Sequence, residues 1–78
     1  MALVRTMKEA RRERYGVHRP VECEALIFKA GGKQFLQLDT MGSRERQERG
    51  KVSQSIQFDR EGASQLLALV RRAFPDLK

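Results

Sequence analysis

A single aspartate, Asp59, separates an alternating segment from an amphipathic one, and this junction constrains the fold more than any other feature of the sequence. Residues 51–58 alternate apolar and polar side chains, which predicts a β-strand. Residues 60–74 repeat apolar side chains at helical spacing, and Pro75 ends the pattern. Asp59 suits a helix N-cap, since its carboxylate accepts hydrogen bonds from the free amides of the first turn. The apolar stripe of this helix must cover one face of a sheet.

Two more strands are predicted upstream, at residues 21–29 and 33–40, because both segments alternate in the same way. Gly31 and Gly32 lie between them and reach positive φ without Cβ strain, which predicts a hairpin turn. Residues 3–15 carry apolar side chains at helical spacing and predict a short N-terminal helix. Thirteen residues are marginal for an isolated helix, so this one needs a partner or the core.

The expected fold class is α+β, with an antiparallel sheet of three to four strands and a C-terminal helix packed on one face. Residues 1–20 form a basic N-terminal helical segment and linker, and residues 21–78 form a single β-β-β-α domain. A sheet this small exposes its edges, and 78 residues bury little apolar surface. Pairing with a second copy relieves both problems, so we expect a homodimer.

Basic side chains outnumber acidic ones by 16 to 10, giving a net charge of +6 and a pI near 10.3. Residues 1–20 hold six basic and two acidic groups, and residues 41–51 hold four and two. Two basic zones on either side of a near-neutral body favour a polyanionic partner, nucleic acid first.

Chemistry-bearing residues are few. The chain has one cysteine and one histidine, and it contains none of the common catalytic motifs. We therefore expect a protein that is not an enzyme and needs no metal or cofactor. No apolar run is long enough for a membrane span and no leader segment is evident, so a cytoplasmic location is expected.

The first candidate site is the charged segment between Gly42 and Gly50. Guanidinium groups match phosphate oxygens in pairs. The alternative is a solvated hairpin loop whose glutamates neutralise half of the charge. The basic residues concerned are Arg44, Arg46, Arg49 and Lys51.

The second candidate site is the sheet face that points away from the helix. Phe28 and Phe35 are placed to stack on bases, and the polar side chains beside them are placed to hydrogen-bond to bases or backbone. Those polar residues are Gln37, Ser53, Ser55 and Gln57. The alternatives are that this face is a dimer interface, or a second core beneath the N-terminal helix.

Part of the sequence resembles a known family. Four features carry the resemblance: Phe35-Leu-Gln-Leu-Asp39, the Gly50-Lys51 pair, Ser55-Ile-Gln-Phe58, and Asp59-Arg-Glu61 opening the helix. In this layout, residues 21–74 resemble the transcriptional coactivator "positive cofactor four" family, which is Whirly-like.

The resemblance implies a homodimer of curved antiparallel sheets that binds single-stranded DNA. It also implies that Lys33, Arg44, Arg46, Arg49 and Lys51 line the groove. That family has four strands before its helix, whereas only three are predicted here. Its N-terminal tail is disordered and basic, whereas residues 3–15 here predict a helix.

These patterns predict that the chain is a nucleic-acid-binding module. We expect it to prefer single-stranded DNA with little sequence specificity, and to act in transcription or DNA maintenance. RNA remains open as the ligand. The alternative is a small protein–protein interaction module whose sheet edge or helix docks on a larger assembly. The salt dependence of binding distinguishes the two functions. Affinity that depends on phosphate contacts falls steeply with salt, whereas the affinity of an apolar interface hardly changes.

Overall fold

The computed structural model describes residues 1–42 and 52–78, which form a four-stranded mixed sheet with one helix against it. The elements are β1 (Ala2–Val4), β2 (Cys23–Ala30), β3 (Lys33–Met41), β4 (Val52–Phe58) and α1 (Arg60–Ala73). The strand order is β1-β4-β3-β2, with β1 parallel to β4 and the other neighbours antiparallel. The predicted α+β class and its C-terminal helix are confirmed.

The hairpin between β2 and β3 closes on two glycines. Gly31 and Gly32 have φ angles of 58° and 77°, in the left-handed region that side chains with a Cβ rarely adopt. Ala30 pairs with Lys33 across this two-residue loop. Two successive positive φ angles fit the twist of a tight hairpin, so the predicted turn is confirmed.

The helix begins where the sequence predicts. The Asp59 carboxylate accepts a hydrogen bond from the Gly62 amide at 2.8 Å, which satisfies one free donor of the first turn. Arg71 and Arg72 in the last turn complement the helix dipole. The Phe74 amide still donates to the Val70 carbonyl at 2.9 Å, and Pro75 follows.

The predicted N-terminal helix is wrong, and the expected purely antiparallel sheet is corrected by the same finding. Ala2–Val4 is a strand that pairs in parallel with β4, and residues 5–22 have no regular secondary structure. A 13-residue helix is marginal in isolation, whereas Leu3 and Val4 gain partners in β4 when they join the sheet. The fourth strand therefore comes from the start of the chain.

After β1 the chain follows the helix. The Gln65 side chain accepts a hydrogen bond from the Met7 amide and donates one to the Arg5 carbonyl oxygen at 3.2 Å. Further along, Arg72 pairs with Glu9. Residues 5–9 thus run from the first turn of α1 toward its last turn, and they leave the opposite sheet face uncovered.

The core is small. Among the described residues, Phe58 is the buried hydrophobic side chain, at 3% exposed. The helix packs on β3 and β4, whereas Ile27 on β2 is 73% exposed and Leu67 on α1 is 49% exposed. The sequence pattern predicts that the helix stripe, which includes Leu67, covers a sheet face that includes Ile27. That prediction is wrong for Ile27, because the strand order places β2 at the far edge of the sheet. Within residues 1–42 and 52–78, no helix has the length and apolar character needed to cross a membrane.

Candidate functional site

The sheet face opposite α1, here called the polar face, is defined by cross-strand pairs. The register places Phe28 opposite Phe35, Gln37 opposite Gln57, and Asp39 opposite Ser55. Residues paired across an antiparallel sheet share a face and lie within side-chain reach. Alternation along the strands therefore brings together Phe28, Phe35, Gln37, Asp39, Ser55 and Gln57, as the sequence pattern indicates.

A chain of hydrogen bonds crosses the polar face and ends on Asp39. Gln57 Nε2 donates to Gln37 Oε1 at 2.7 Å, and Gln37 Nε2 donates to Asp39 Oδ1 at 2.9 Å. Ser55 Oγ also donates to Asp39 Oδ1, at 2.7 Å. One carboxylate oxygen therefore accepts from two donors, which fixes its orientation.

Asp39 is 7% exposed, and its two oxygens differ. Oδ1 accepts two hydrogen bonds, whereas Oδ2 accepts none from the described residues. The two donors on Oδ1 fix the orientation of the Asp39 carboxyl group on the polar face.

Asp39 also lines a shallow cleft of about 530 Å³. Its floor is the polar chain of Gln37, Asp39, Ser55 and Gln57. Its walls are apolar side chains from the start of the chain, Met1, Ala2 and Leu3, and from the start of β4, Val52. Leu3 reaches the cleft because β1 pairs with β4, where Leu3 lies beside Gln57. Apolar walls around a few placed polar groups are typical of ligand sites.

An aromatic pair lies on the same face toward the hairpin. The rings of Phe28 and Phe35 are stacked, with centroids 5.6 Å apart and planes 25° from parallel. Both side chains are half-buried. Phe35 precedes Gln37 by two positions on β3, so the aromatic pair and the polar chain form one continuous surface.

Ser53 does not join this surface, contrary to prediction. Its hydroxyl lies 3.0 Å from Thr40 Oγ1 and donates to the Thr40 carbonyl oxygen at 3.1 Å. The register shifts between Thr40 and Met41, which then pairs with Val52. This irregularity interrupts the alternation at the start of β4, so Val52 lines the cleft instead of Ser53.

Charge on the polar face is not predominantly basic. Lys33 lies exposed at the start of β3, but Glu24 and Asp39 are paired across β2 and β3. Like charges facing each other are unfavourable, and the donors from Gln37 and Ser55 offset this at Asp39. The predicted phosphate-binding residues Arg44, Arg46, Arg49 and Lys51 lie outside the described residues.

Sequence reasoning missed two members of this site. It assigned no role to Asp39, although a carboxylate between Leu38 and Thr40 in a predicted strand was a signal. It placed Leu3 on a helix, and nothing local in the sequence reveals the β1–β4 pairing. Among the described residues, no group of histidine, cysteine or carboxylate side chains is arranged to hold a metal ion.

Comparisons of the chain with protein-family models, curated proteins and solved structures found no match. The resemblance to the positive cofactor four family therefore stays a prediction.

Proposed function

We propose that this chain binds single-stranded nucleic acid, DNA in preference to RNA, on the polar face of its sheet. It does so as a cytoplasmic homodimer with a role in transcription or DNA maintenance. The observation that carries the proposal is the continuity of one surface, from the Phe28–Phe35 pair to the polar chain that ends on Asp39. Single-strand binders combine these elements, stacking bases on rings and holding their edges with polar groups.

The aromatic pair supplies the stacking part of this proposal. A half-buried ring is held by its neighbours yet offers area to a base, and each such stack contributes about 1–3 kcal/mol. A duplex hides its base faces within the helical stack. The aromatic pair therefore favours single strands over duplexes.

The charge pattern orients the bound strand. Glu24 and Asp39 repel phosphates from the polar face. The basic side chains lie mostly elsewhere in sequence, in residues 1–20 and residues 41–51. Phosphates held by those zones leave the bases turned toward the sheet. Phosphate contacts carry little sequence information, so binding is broad in sequence.

The free edge of β2 supports the homodimer. The Met41 amide donates to the Glu22 carbonyl at 2.9 Å, so the backbone groups of Glu22 face β3. Backbone groups alternate sides along an antiparallel strand, so those of the odd-numbered residues of β2 face outward. No described strand pairs with that edge. A second β2 strand pairing about Ile27 would join two sheets into one and cover its exposed side chain.

Exposed apolar side chains also support the homodimer. Ile27 is 73% exposed and Leu67 is 49% exposed in the single chain. An interface between two copies removes such side chains from water.

A titration of the full chain with single-stranded and duplex oligonucleotides at two salt concentrations tests the function. We expect tighter binding of the single strand and an affinity that falls with salt. Changing Phe28 and Phe35 together to Leu keeps the apolar character but removes both rings, and affinity should fall at least tenfold. Phe74→Leu is the matched control, since Phe74 is 58% exposed and does not lie on the sheet. If the double variant and the parent bind single strands equally well, the aromatic pair does not stack on bases.

A protein–protein interaction module is the second candidate, and the free β2 edge favours it. An eight-residue edge strand with outward backbone groups also suits addition of a strand from a different protein. Such binding responds little to salt and is lost when the edge is blocked. A chain that binds no oligonucleotide at low salt would favour this function over the first.

A further inference from the structure

We propose that the helix side of the sheet docks an acidic amphipathic helix of another protein. The docking surface lies between α1 and β2, on the side of the sheet opposite the polar face. The inference goes beyond the proposed function, because it uses none of the residues assigned to nucleic acid there. The surface has an apolar strip, formed by Ile27, Leu67 and Phe74, and a basic border, formed by Lys29, Arg60 and Arg71.

One flank of α1 is covered and the other is open. Hydrogen bonds join Gln65 and Arg72 to residues 5–9. Two residues advance by about 200° around a helix, so Leu67 and Phe74 lie on the flank almost opposite these contacts. The two side chains are 49% and 58% exposed. The described residues therefore leave an apolar flank of α1 uncovered.

The open flank of α1 faces β2. The strand order is β1-β4-β3-β2, and β1 leads into the segment that covers the other flank. Ile27 of β2 pairs with Leu36, which pairs with the buried Phe58, so all three side chains lie on the helix side. The helix packs on β3 and β4, and Ile27 is 73% exposed. Apolar side chains of α1 and β2 thus border a trough that the described part of the chain leaves open.

Basic residues border the apolar strip. Lys29 follows Ile27 by two positions, so it lies on the same side of the sheet, and it is exposed. Arg60 lies seven residues before Leu67 and Arg71 lies four residues after it, so both belong to the open flank of α1. The apolar strip therefore has positive charge on both of its sides.

The acidic residues of β2 and α1 lie elsewhere. Glu24 of β2 pairs with Asp39 and belongs to the polar face. Glu61 of α1 is one helical turn before Gln65, on the covered flank. A partner that fits must bring apolar side chains to the strip and carboxylates to its border. An amphipathic helix with an acidic polar face supplies both, and such helices commonly lay their apolar face into a groove.

Two other occupants fit this surface less well. A second copy placed face to face would bring its own Lys29, Arg60 and Arg71 against those of the first, and like charges repel. The proposed pairing along the β2 edge continues the sheet in one layer, so it extends the floor of the trough and leaves its top open. Nucleic acid would bring phosphates to the basic border but no apolar side chains to the strip.

The test measures the fluorescence anisotropy of labelled synthetic peptides in the presence of the full chain. Each peptide has about 14 residues, or roughly four helical turns. The first carries leucines at helical spacing on one side and glutamates elsewhere. The second has the same composition in an order that scatters the leucines, and the third carries lysine in place of glutamate. We expect the first peptide to bind more tightly than either of the others, by roughly tenfold or more.

Two variants locate the surface. Leu67→Ser removes an apolar contact and should weaken binding of the first peptide roughly tenfold, whereas Val17→Ser, at a fully exposed position outside the sheet, should not. Arg71→Glu reverses a charge of the border and should weaken binding by a similar factor. Arg14→Glu makes the same change in the exposed N-terminal segment and is its control. Arg71 is exposed, so its variant should fold even if Leu67→Ser does not.

Several results would overturn the proposal. If the first peptide does not bind at low salt, the docking surface is wrong and nucleic-acid binding still stands. If the first two peptides bind equally, or if Arg14→Glu weakens binding as much as Arg71→Glu, net charge alone attracts the peptide. If the folded Leu67→Ser and Arg71→Glu variants keep the parent affinity, the peptide binds elsewhere, the β2 edge included.

Competition identifies the other occupants. Dissociation of the dimer by the first peptide would make a second copy the occupant of the strip. Displacement of the peptide by a single-stranded oligonucleotide would make nucleic acid the occupant. Because the docking surface and the polar face lie on opposite sides of the sheet, we expect the peptide to stay bound when the oligonucleotide is added at saturation.

Discussion

The carbonyl oxygen of Val4 lies directly against Gly62, so the last residue of β1 meets the first turn of α1 with no space for a side chain between them. Gly62 is the buried residue of the helix. A Cβ built at this position collides with the Val4 carbonyl. The glycine is therefore required by the close approach of a strand to the helix, and not by its own backbone angles.

Gly62→Ala should destabilise the chain by about 1–3 kcal/mol, because the new methyl group displaces β1 from the helix. On an exposed helical surface the same change would stabilise by up to about 1 kcal/mol, so the sign alone is informative. Chemical denaturation measures the effect. Ser64→Ala, at an exposed position of the same helix, is the control and should change stability by about 0.5 kcal/mol or less. A stabilised Gly62→Ala variant would contradict the β1 placement.

Phe58→Ala should cost about 3–5 kcal/mol, since it removes the buried aromatic side chain at the position that pairs with Val4 of β1 and Leu36 of β3. In a domain this small that loss leaves little folded protein at room temperature. Phe74→Ala deletes an equal volume from a side chain that is 58% exposed and should cost far less. Thermal unfolding followed by circular dichroism compares the two, and equal losses would mean that Phe58 is not the centre of the core.

Ile27→Lys should convert the proposed dimer to a monomer, because a charged lysine blocks an edge strand from pairing. Ile27 is 73% exposed in the single chain, so the change should not unfold the protomer. Val17→Lys introduces the same charge at a fully exposed residue outside the sheet and should leave the dimer intact. Sedimentation equilibrium reads the result. A parent chain that stays monomeric at high concentration rules the dimer out.

Replacing Arg44, Arg46 and Arg49 together by Ala should weaken binding of all single strands alike. The slope of log affinity against log salt should flatten by roughly 0.7 per lost phosphate contact. Stability should change by about 0.5 kcal/mol or less per site, since these positions are polar in sequence. A triple change of Arg60, Arg71 and Lys78 to Ala removes the same charge from the helix and the C-terminus as a control. If the salt slope of the first variant is unchanged, Arg44, Arg46 and Arg49 do not bind phosphate. The N-terminal arginines are then the better candidates.

Local chemistry made most of the fold predictable. The hairpin follows from two adjacent glycines, and the helix start follows from the Asp59 carboxylate, because both depend on residues a few positions apart. The polar face follows from strand alternation. Phe35, Gln37 and Asp39 are alternate residues of β3, so they lie on one face of the sheet.

Long-range contacts account for what sequence reasoning got wrong. Leu3 and Val4 suit either a helix or a strand, and the choice is made by β4 and Gly62, which lie at the other end of the chain. The turning of Ser53 toward Thr40 depends on a register shift that no alternation pattern contains. The exposure of Leu67 depends on the strand order, which places β2 beyond the reach of the helix.

The parallel pairing of β1 with β4 also sets an order of assembly. The β2–β3 hairpin closes through a two-residue turn, and α1 starts one residue after β4, so these units form from neighbouring segments. Ala2 meets Ile56 only after the 53 residues between them are available, and closing so long a loop is slow. During synthesis the first strand made thus waits for the last two elements. Until they emerge, the cleft has no Leu3 wall and Gly62 has nothing against it, so the candidate site is completed in the final step of folding.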